Sequence, residues 1–127
     1  MSTWMKKIKK ILIAEDQLLI AKVLRMQLEA VGYEVQNVVD GTEAYNTILD
    51  WNPDLVIMDN YLKNNTNGLE AARRIREKHI GTPIIFVTGN SFENTKALAS
   101  AIDKSTVLSK PVVFEQLQKI ILEWDLA

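Results

Sequence analysis

The chain has 127 residues, of which 47% are hydrophobic and 24% are charged, a balance typical of one soluble globular domain. The absence of cysteine excludes disulfide bonds and thiolate metal sites and is typical of a reducing compartment. A formal net charge of −1 gives no electrostatic basis for binding nucleic acid, and no apolar run approaches the ~20 residues that cross a bilayer. We expect one cytoplasmic domain over residues 1–127, with its core at about 8–124.

Two hydrophobic periods alternate along the chain, one typical of strands and one typical of helices. Strands with continuous apolar runs are expected to be covered on both faces, and the more polar strands are expected at the edges of a sheet. The apolar strands are predicted at 8–14, 55–58 and 84–87, and the more polar ones at 34–39 and 106–109. Helices are predicted at about 17–31, 41–49, 69–79, 92–101 and 114–124.

Polar residues mark the predicted helix starts and the longest loop. Asp16 is predicted to cap the first helix, which Gly32 ends. Asp40 and Glu43 have the spacing of a capping box in front of the second helix. The polar stretch at 63–68 is predicted to be a loop without regular structure.

Five strand–helix repeats predict an α/β fold with an open parallel sheet and helices on both faces. The flavodoxin-like, doubly wound order 2-1-3-4-5 suits a chain of this length, with the apolar strands in the centre. In such sheets the binding crevice lies beyond the carboxyl ends of the strands, where the strand order reverses. That point is predicted between the first and third strands.

Charged and polar residues stand at the predicted carboxyl ends of four strands. They are Glu15 and Asp16, Asp59, Thr88, and Lys110. At ~5 Å and an effective dielectric constant of about 20, two carboxylates repel each other by about 3 kcal/mol, so we expect a bound cation. Oxygen ligands without histidine or cysteine favour Mg²⁺. With the ammonium group of Lys110, such an ion would stabilise a phosphoryl group transferred to the Asp59 carboxylate.

Seven short segments form an ordered set that covers about 8–124 of the chain. They are ILIAED at 11–16, GYEV at 32–35, GTEA at 41–44, PDLVIMD at 53–59, NGLE at 67–70, IFVT at 85–88 and SKP at 109–111. As a set they resemble the response regulator receiver domain, in particular the chemotaxis-type single-domain receivers of two-component (phosphorelay) signalling.

The resemblance implies that Asp59 accepts the phosphoryl group and that Thr88 and Lys110 act on it, with a cis bond before Pro111. The implied Mg²⁺ ligands are Glu15 through water, Asp16, Asp59 and the backbone carbonyl of Tyr61. The implied donor is a phosphohistidine on a sensor histidine kinase or a histidine phosphotransfer protein. The implied output is a changed surface around the fourth helix, fifth strand and fifth helix, which binds a downstream protein. Such a chain is not an enzyme, although it assists its own phosphorylation and dephosphorylation.

Five positions stand out against the family pattern, among them Lys63, which stands where many members have proline. Glu15 replaces the more frequent aspartate, and Val107 stands where the family has a switch tyrosine or phenylalanine. Tyr61 and Asn90, each two residues beyond a site residue, are expected to flank the path of the attacking water and to set the lifetime of the phosphorylated state.

Three other functions are compatible with parts of the sequence. A phosphorylation-independent interaction module on the receiver fold would lack Mg²⁺-dependent phosphorylation. A phosphatase of the haloacid dehalogenase kind would need a second aspartate at the position of Tyr61. A flavin carrier of the same topology would need a phosphate-binding loop, for which Thr88-Gly89-Asn90 is a poor match.

Overall fold

The structure, a computed structural model, describes residues 7–89 and 92–126. Strands and helices alternate along it, and none of the helices in these ranges is long and apolar enough to span a bilayer. The strands are β1 (Lys10–Ala14), β2 (Glu34–Val38), β3 (Leu55–Asp59), β4 (Tyr61–Leu62), β5 (Thr66–Asn67), β6 (Ile84–Thr88) and β7 (Ser105–Ser109). The helices are α1 (Leu18–Ala30), α2 (Gly41–Trp51), α3 (Gly68–Glu77), α4 (Phe92–Ala99) and α5 (Phe114–Leu126).

Five parallel strands form the central sheet in the order β2-β1-β3-β6-β7. The short strands β4 and β5 pair with each other in a separate antiparallel ladder, so the central order is the predicted 2-1-3-4-5. Every residue of β3 and β6 is buried, whereas β2 and β7 lie at the edges and are more exposed. The flavodoxin-like α/β fold and the central position of the apolar strands are therefore confirmed.

The two faces of the sheet carry separate hydrophobic clusters. Because side chains alternate along each strand, Met58 and Phe86 belong to the cluster under α2 and α3, whereas Ile57 and Val87 belong to the cluster under α1 and α5. A fully buried side chain such as Phe86 contributes about 1.5–3 kcal/mol to folding. The two clusters hold the central strands in one register and so fix where their carboxyl ends meet.

The start of α1 differs from the prediction. Its N-cap is Gln17 and not Asp16, and the Gln17 side chain makes no capping hydrogen bond. The Gln17 amide instead donates to Glu15 Oε2 at 3.1 Å. Because Glu15 accepts from that amide, the helix begins one residue later and the carboxylate of Asp16 is not used as a cap.

The second helix follows the predicted capping pattern and then runs further. Asp40 accepts from the Glu43 amide at 2.7 Å, and Glu43 Oε1 accepts from the Val39 amide at 3.1 Å, which confirms the capping interaction. The helix ends at Trp51, two residues beyond the predicted end, and Lys10 Nζ donates to the Trp51 carbonyl at 2.6 Å. The stretch predicted as an irregular loop contains the short strand β5.

Candidate functional site

Three carboxylates lie together at the carboxyl ends of β1 and β3. One oxygen of each of Glu15, Asp16 and Asp59 lies within 4.8 Å of the other two. Glu15 is 6% exposed and Asp59 is 5% exposed, while Asp16 is half-buried. The pairing of β1 with β3, which sets Ala14 beside Met58, places the residues that follow them side by side. The structure thus brings together the acidic residues that the sequence singled out.

The ammonium group of Lys110 lies between two of these carboxylates. Its Nζ is 2.6 Å from Asp59 Oδ2 and 3.3 Å from Glu15 Oε1. The Lys110 amide donates to the Thr88 carbonyl at 2.8 Å, which ties the segment after β7 to the end of β6. The peptide bond between Lys110 and Pro111 is cis, as predicted. When all four groups are ionised, three negative charges and one positive charge leave the site with an excess of two negative charges.

The surroundings of Glu15 and of Lys110 shift the pKa of each of these two side chains. Burial raises the pKa of Glu15, the hydrogen bond from the Gln17 amide lowers it in part, and the charge of Asp59 raises it again. Burial by itself lowers the pKa of Lys110, but the hydrogen bond and charge of Asp59, together with Glu15, outweigh it and raise that pKa. Lys110 is therefore protonated at neutral pH, and the carboxylates still favour additional positive charge.

The two oxygens of Asp59 have different partners. Oδ2 accepts from Lys110, and Oδ1 accepts from the Tyr61 amide at 3.1 Å. This second bond places the Tyr61 backbone beside the carboxylate, while the Tyr61 side chain is exposed. The role of the Tyr61 carbonyl as a metal ligand stays a prediction.

Gly68 allows α3 to begin directly against the end of β3. A Cβ at this position would lie 2.5 Å from the Asp59 carbonyl oxygen, closer than real Cβ atoms approach any atom. The Gly68 amide donates to the Asn60 carbonyl at 3.1 Å. Glycine is required here because the helix start and the backbone of the acidic residue nearly touch.

Thr88 lies at the same edge of the sheet, fully buried at the end of β6. Its hydroxyl oxygen lies 3.5 Å from that of Thr95, a buried residue of α4 that the sequence analysis did not single out. The sequence signal that Thr95 offers is its position four residues before Ala99, which is also buried on that helix. Asn90, predicted to flank the path of the attacking water, lies outside the described residues.

Two further residues near the site, Asn60 and Val107, have unusual surroundings or an unusual side chain for their position. Asn60, next to Asp59, is 8% exposed, and its side-chain oxygen has no hydrogen-bond partner among the residues that the structure describes. Val107 lies in β7 beside Phe86 and packs partly buried against the cluster under α2 and α3. An aliphatic side chain therefore occupies the position of the family's switch aromatic.

A cavity of about 620 Å³ opens beside the charged groups. One end is formed by Glu15, Asp59 and Lys110, and the wall is largely apolar. The apolar lining includes Leu19, Ile20 and Val23 of α1 and Val112 after the cis peptide. The arrangement leaves room for an ion and a small anionic group beside Asp59.

The chain matches the family model described as response regulator receiver domain over residues 11–122. It is 33% identical to the signal receiver domain of a modulated diguanylate cyclase from Desulfovibrio desulfuricans, with a TM-score of 0.78, covering 93% of this chain and 94% of that one. It is 28% identical to the receiver domain of a sensor histidine kinase from Pseudomonas aeruginosa, with a TM-score of 0.83 and coverage of 94% and 98%. The receiver domain of a Francisella response regulator shares the fold, at 23% identity, a TM-score of 0.84 and coverage of 92% and 96%.

The family model spans most of the chain, and the acidic residues and the lysine that characterise the sequence motifs lie together in one pocket. The chain belongs to the response regulator receiver domain family of two-component signalling systems.

Proposed function

We propose that this receiver domain is a phosphoacceptor switch that takes a phosphoryl group from a phosphohistidine onto Asp59, with Mg²⁺, and changes its partner-binding surface in response. One observation carries the proposal. The buried carboxylate of Asp59 lies 2.6 Å from Lys110 Nζ and within 4.8 Å of the carboxylates of Glu15 and Asp16. The proposed nucleophile therefore lies beside a positive charge and beside the carboxylates proposed as metal ligands.

The donor set fits a magnesium ion. Glu15, Asp16 and Asp59 offer hard oxygen atoms, and their excess negative charge matches a divalent cation. The backbone carbonyl of Tyr61 is proposed as a further ligand, with Glu15 acting through water. When bound, the ion would offset the repulsion among the carboxylates and stabilise the charge on the phosphoryl oxygens. The related Pseudomonas domain holds a magnesium ion in its active site cleft, which supports this choice.

Different residues of the chain have different roles in the proposed phosphoryl transfer. Lys110 and the Tyr61 amide hold the two oxygens of Asp59, so the carboxylate is oriented before the donor arrives. The carboxylate oxygen forms a bond to phosphorus while the bond between phosphorus and the imidazole nitrogen breaks, and the electron pair of that bond stays on the ring. Lys110 and the Thr88 hydroxyl then donate to phosphoryl oxygens.

The donor must bring its phosphohistidine into the cavity, because Asp59 is only 5% exposed. The cavity wall on the α1 side is apolar, with Leu19, Ile20 and Val23 all exposed to solvent. A sensor histidine kinase or a histidine phosphotransfer protein is the proposed donor, and a downstream protein in the cytoplasm is the proposed target. The domain would act as a switch that assists its own phosphorylation and dephosphorylation and not as an enzyme with an external substrate.

Phosphorylation by a small donor tests the proposal directly. Incubation with acetyl phosphate should add one phosphoryl group to the intact chain, as measured by mass spectrometry, and the addition should require Mg²⁺. Asp59→Asn should abolish it, because the amide is a poor nucleophile. Asp50→Asn, at an exposed aspartate of α2, is the matched control and should leave it intact.

Two results would contradict the proposal. Phosphorylation that persists in Asp59→Asn would place the acceptor elsewhere. No phosphorylation of the wild-type chain by either acetyl phosphate or a phosphohistidine donor in Mg²⁺ would favour the alternative, a phosphorylation-independent interaction module.

A further inference from the structure

The hydroxyl of Thr88 lies on the face of the sheet that α4 covers. Ile84 and Phe86 of the same strand belong to the cluster under α2 and α3, and side chains alternate along a strand, so Thr88 shares their face. Thr95 of α4 meets it there, and both threonines are 0% exposed. Thr95 Oγ1 donates to Thr88 Oγ1 across 3.5 Å.

The surroundings of Thr95 indicate that its buried hydroxyl makes a hydrogen bond. On α4 the side chains at 93, 94 and 96–98 are exposed, and Thr95 and Ala99 form the buried face among the side chains described there. Both buried residues are small, so the side chains described at 93–99 make little apolar contact with the sheet. A buried hydroxyl costs free energy unless it is hydrogen-bonded, and valine has nearly the same shape without that cost. The contact with Thr88 supplies a hydrogen-bond partner for this buried hydroxyl.

The neighbouring edge strand offers a different surface. Val107 of β7 pairs with Phe86 and is partly buried, and its side chain has no group that can accept or donate a hydrogen bond. A displacement of the Thr88 hydroxyl therefore changes a polar contact with α4 but none with Val107. The contact between the Thr88 and Thr95 hydroxyls is thus a polar link from the site to α4.

We infer that Thr95 is a positioning residue that couples the Thr88 hydroxyl to α4. In the unphosphorylated domain Thr95 donates to Thr88, and this bond is given up when Thr88 moves to donate to a phosphoryl group on Asp59. This role rests on the proposed function of Asp59. At 3.5 Å the bond is long compared with the ~2.7–2.8 Å typical of hydroxyl pairs, so it is readily exchanged.

Removal of the Thr95 hydroxyl should favour the activated form. A hydrogen bond made only in the unphosphorylated state opposes phosphoryl binding, so its loss shifts the equilibrium toward the bound state. Thr95→Val should bind beryllofluoride, a phosphoryl mimic, about two- to fivefold more tightly in Mg²⁺ than the wild-type chain does. The chemical shifts of the α4 amides should also change less on binding, because the helix is no longer tied to Thr88.

Several variants separate this role from a structural one. Thr95→Ser keeps the hydroxyl and should restore the wild-type affinity, whereas Thr95→Ala removes it without adding volume and should behave like Thr95→Val. Thr47→Val makes the same substitution on α2 and should change nothing. In a Thr88→Val background, Thr95→Val should have no further effect on affinity, since the contact between the two hydroxyls is already absent.

The outcomes distinguish the inferred role of Thr95 from the proposed function of Asp59. Unchanged or weaker beryllofluoride binding by both Thr95→Val and Thr95→Ala would overturn the role of Thr95 while leaving phosphorylation at Asp59 intact. An equal gain in the Thr88→Val background would also overturn it, because the effect would not pass through Thr88. A wild-type chain that binds no beryllofluoride and accepts no phosphoryl group would refute the proposed function itself.

Discussion

Charged side chains that are partly or fully buried occur at both ends of the central sheet, and their charge is compensated differently at each end. At the amino ends of the strands, Asp54 Oδ2 accepts from the amides of Lys9 and Lys10, each at 2.9 Å. Arg76 donates there to the carbonyls of Ile80, Thr82 and Asp103 at 2.8–2.9 Å. At the carboxyl ends, by contrast, the carboxylates of Glu15 and Asp59 face one another and share one lysine.

The difference separates charges that hold the fold from charges that perform chemistry. Backbone amides and carbonyls are held in place by the fold. A charged side chain that is bonded to them is therefore fixed, and its charge is permanently compensated. Carboxylates that face each other remain under-compensated, and they favour a cation or ligand from solution. Substitutions at the two ends should therefore change stability in opposite directions.

The largest effect is expected at the amino end. Arg76→Met keeps much of the side-chain volume but leaves three backbone carbonyls without their donor, at a cost of about 3 kcal/mol. Thermal denaturation should show a melting temperature lower by ~10 °C. Phosphorylation by acetyl phosphate, measured well below that temperature, should remain.

The control for Arg76 lies on the same helix. Arg73→Met removes an exposed guanidinium that is paired with Glu70, and exposed pairs contribute at most about 1 kcal/mol. If the two variants lost equal stability, the carbonyl contacts of Arg76 would not hold the amino end.

At the carboxyl end we expect an effect of intermediate size, and there the substitution should raise the stability that Arg76→Met lowers at the amino end. Without Mg²⁺, Asp16→Asn should stabilise the domain by about 1 kcal/mol, because it removes repulsion that solvent screens only in part. With Mg²⁺ at ~100 times its dissociation constant, the wild-type chain should gain about 2.7 kcal/mol and the variant much less. Melting temperatures with and without Mg²⁺ measure both effects.

The matched variant Asp50→Asn removes an exposed carboxylate of α2. It should change neither the melting temperature without Mg²⁺ nor the increase in melting temperature that Mg²⁺ causes. A lower melting temperature of Asp16→Asn in the absence of Mg²⁺ would show that Asp16 stabilises the fold, and the contrast between the two ends would fail there.

The smallest effect is expected at Asn60, whose buried oxygen has no partner among the described residues. Asn60→Leu replaces that oxygen with an apolar group of similar shape and should raise the free energy of unfolding by about 1 kcal/mol. Urea denaturation measures it, with Asn46→Leu at an exposed position as the control. A loss of stability would indicate that an ordered water satisfies the Asn60 oxygen.

Much of this site was predictable because its residues follow the strands directly. Asp59 follows a run of buried apolar residues, and Lys110 comes one residue after the end of β7. In a parallel sheet all carboxyl ends lie at one edge, so strand prediction alone places these groups near each other. The start of α1 was predicted wrongly, since an aspartate in that position is ordinarily a cap, whereas here Glu15 accepts from the Gln17 amide.

Hydrophobic periodicity by itself determined the α/β class and which strands lie at the edges, because these follow from which side chains must leave water. Together with the chain length and the general behaviour of open parallel sheets, it also predicted the strand order and the edge of the sheet where the site lies. Only the tertiary structure decided the contacts between side chains that are distant in sequence. The position of Lys110 between Glu15 and Asp59, the hydroxyl contact of Thr88 with Thr95 and the carbonyl contacts of Arg76 are examples. Such contacts depend on distances of a few tenths of an ångström, which packing sets and a linear pattern does not encode.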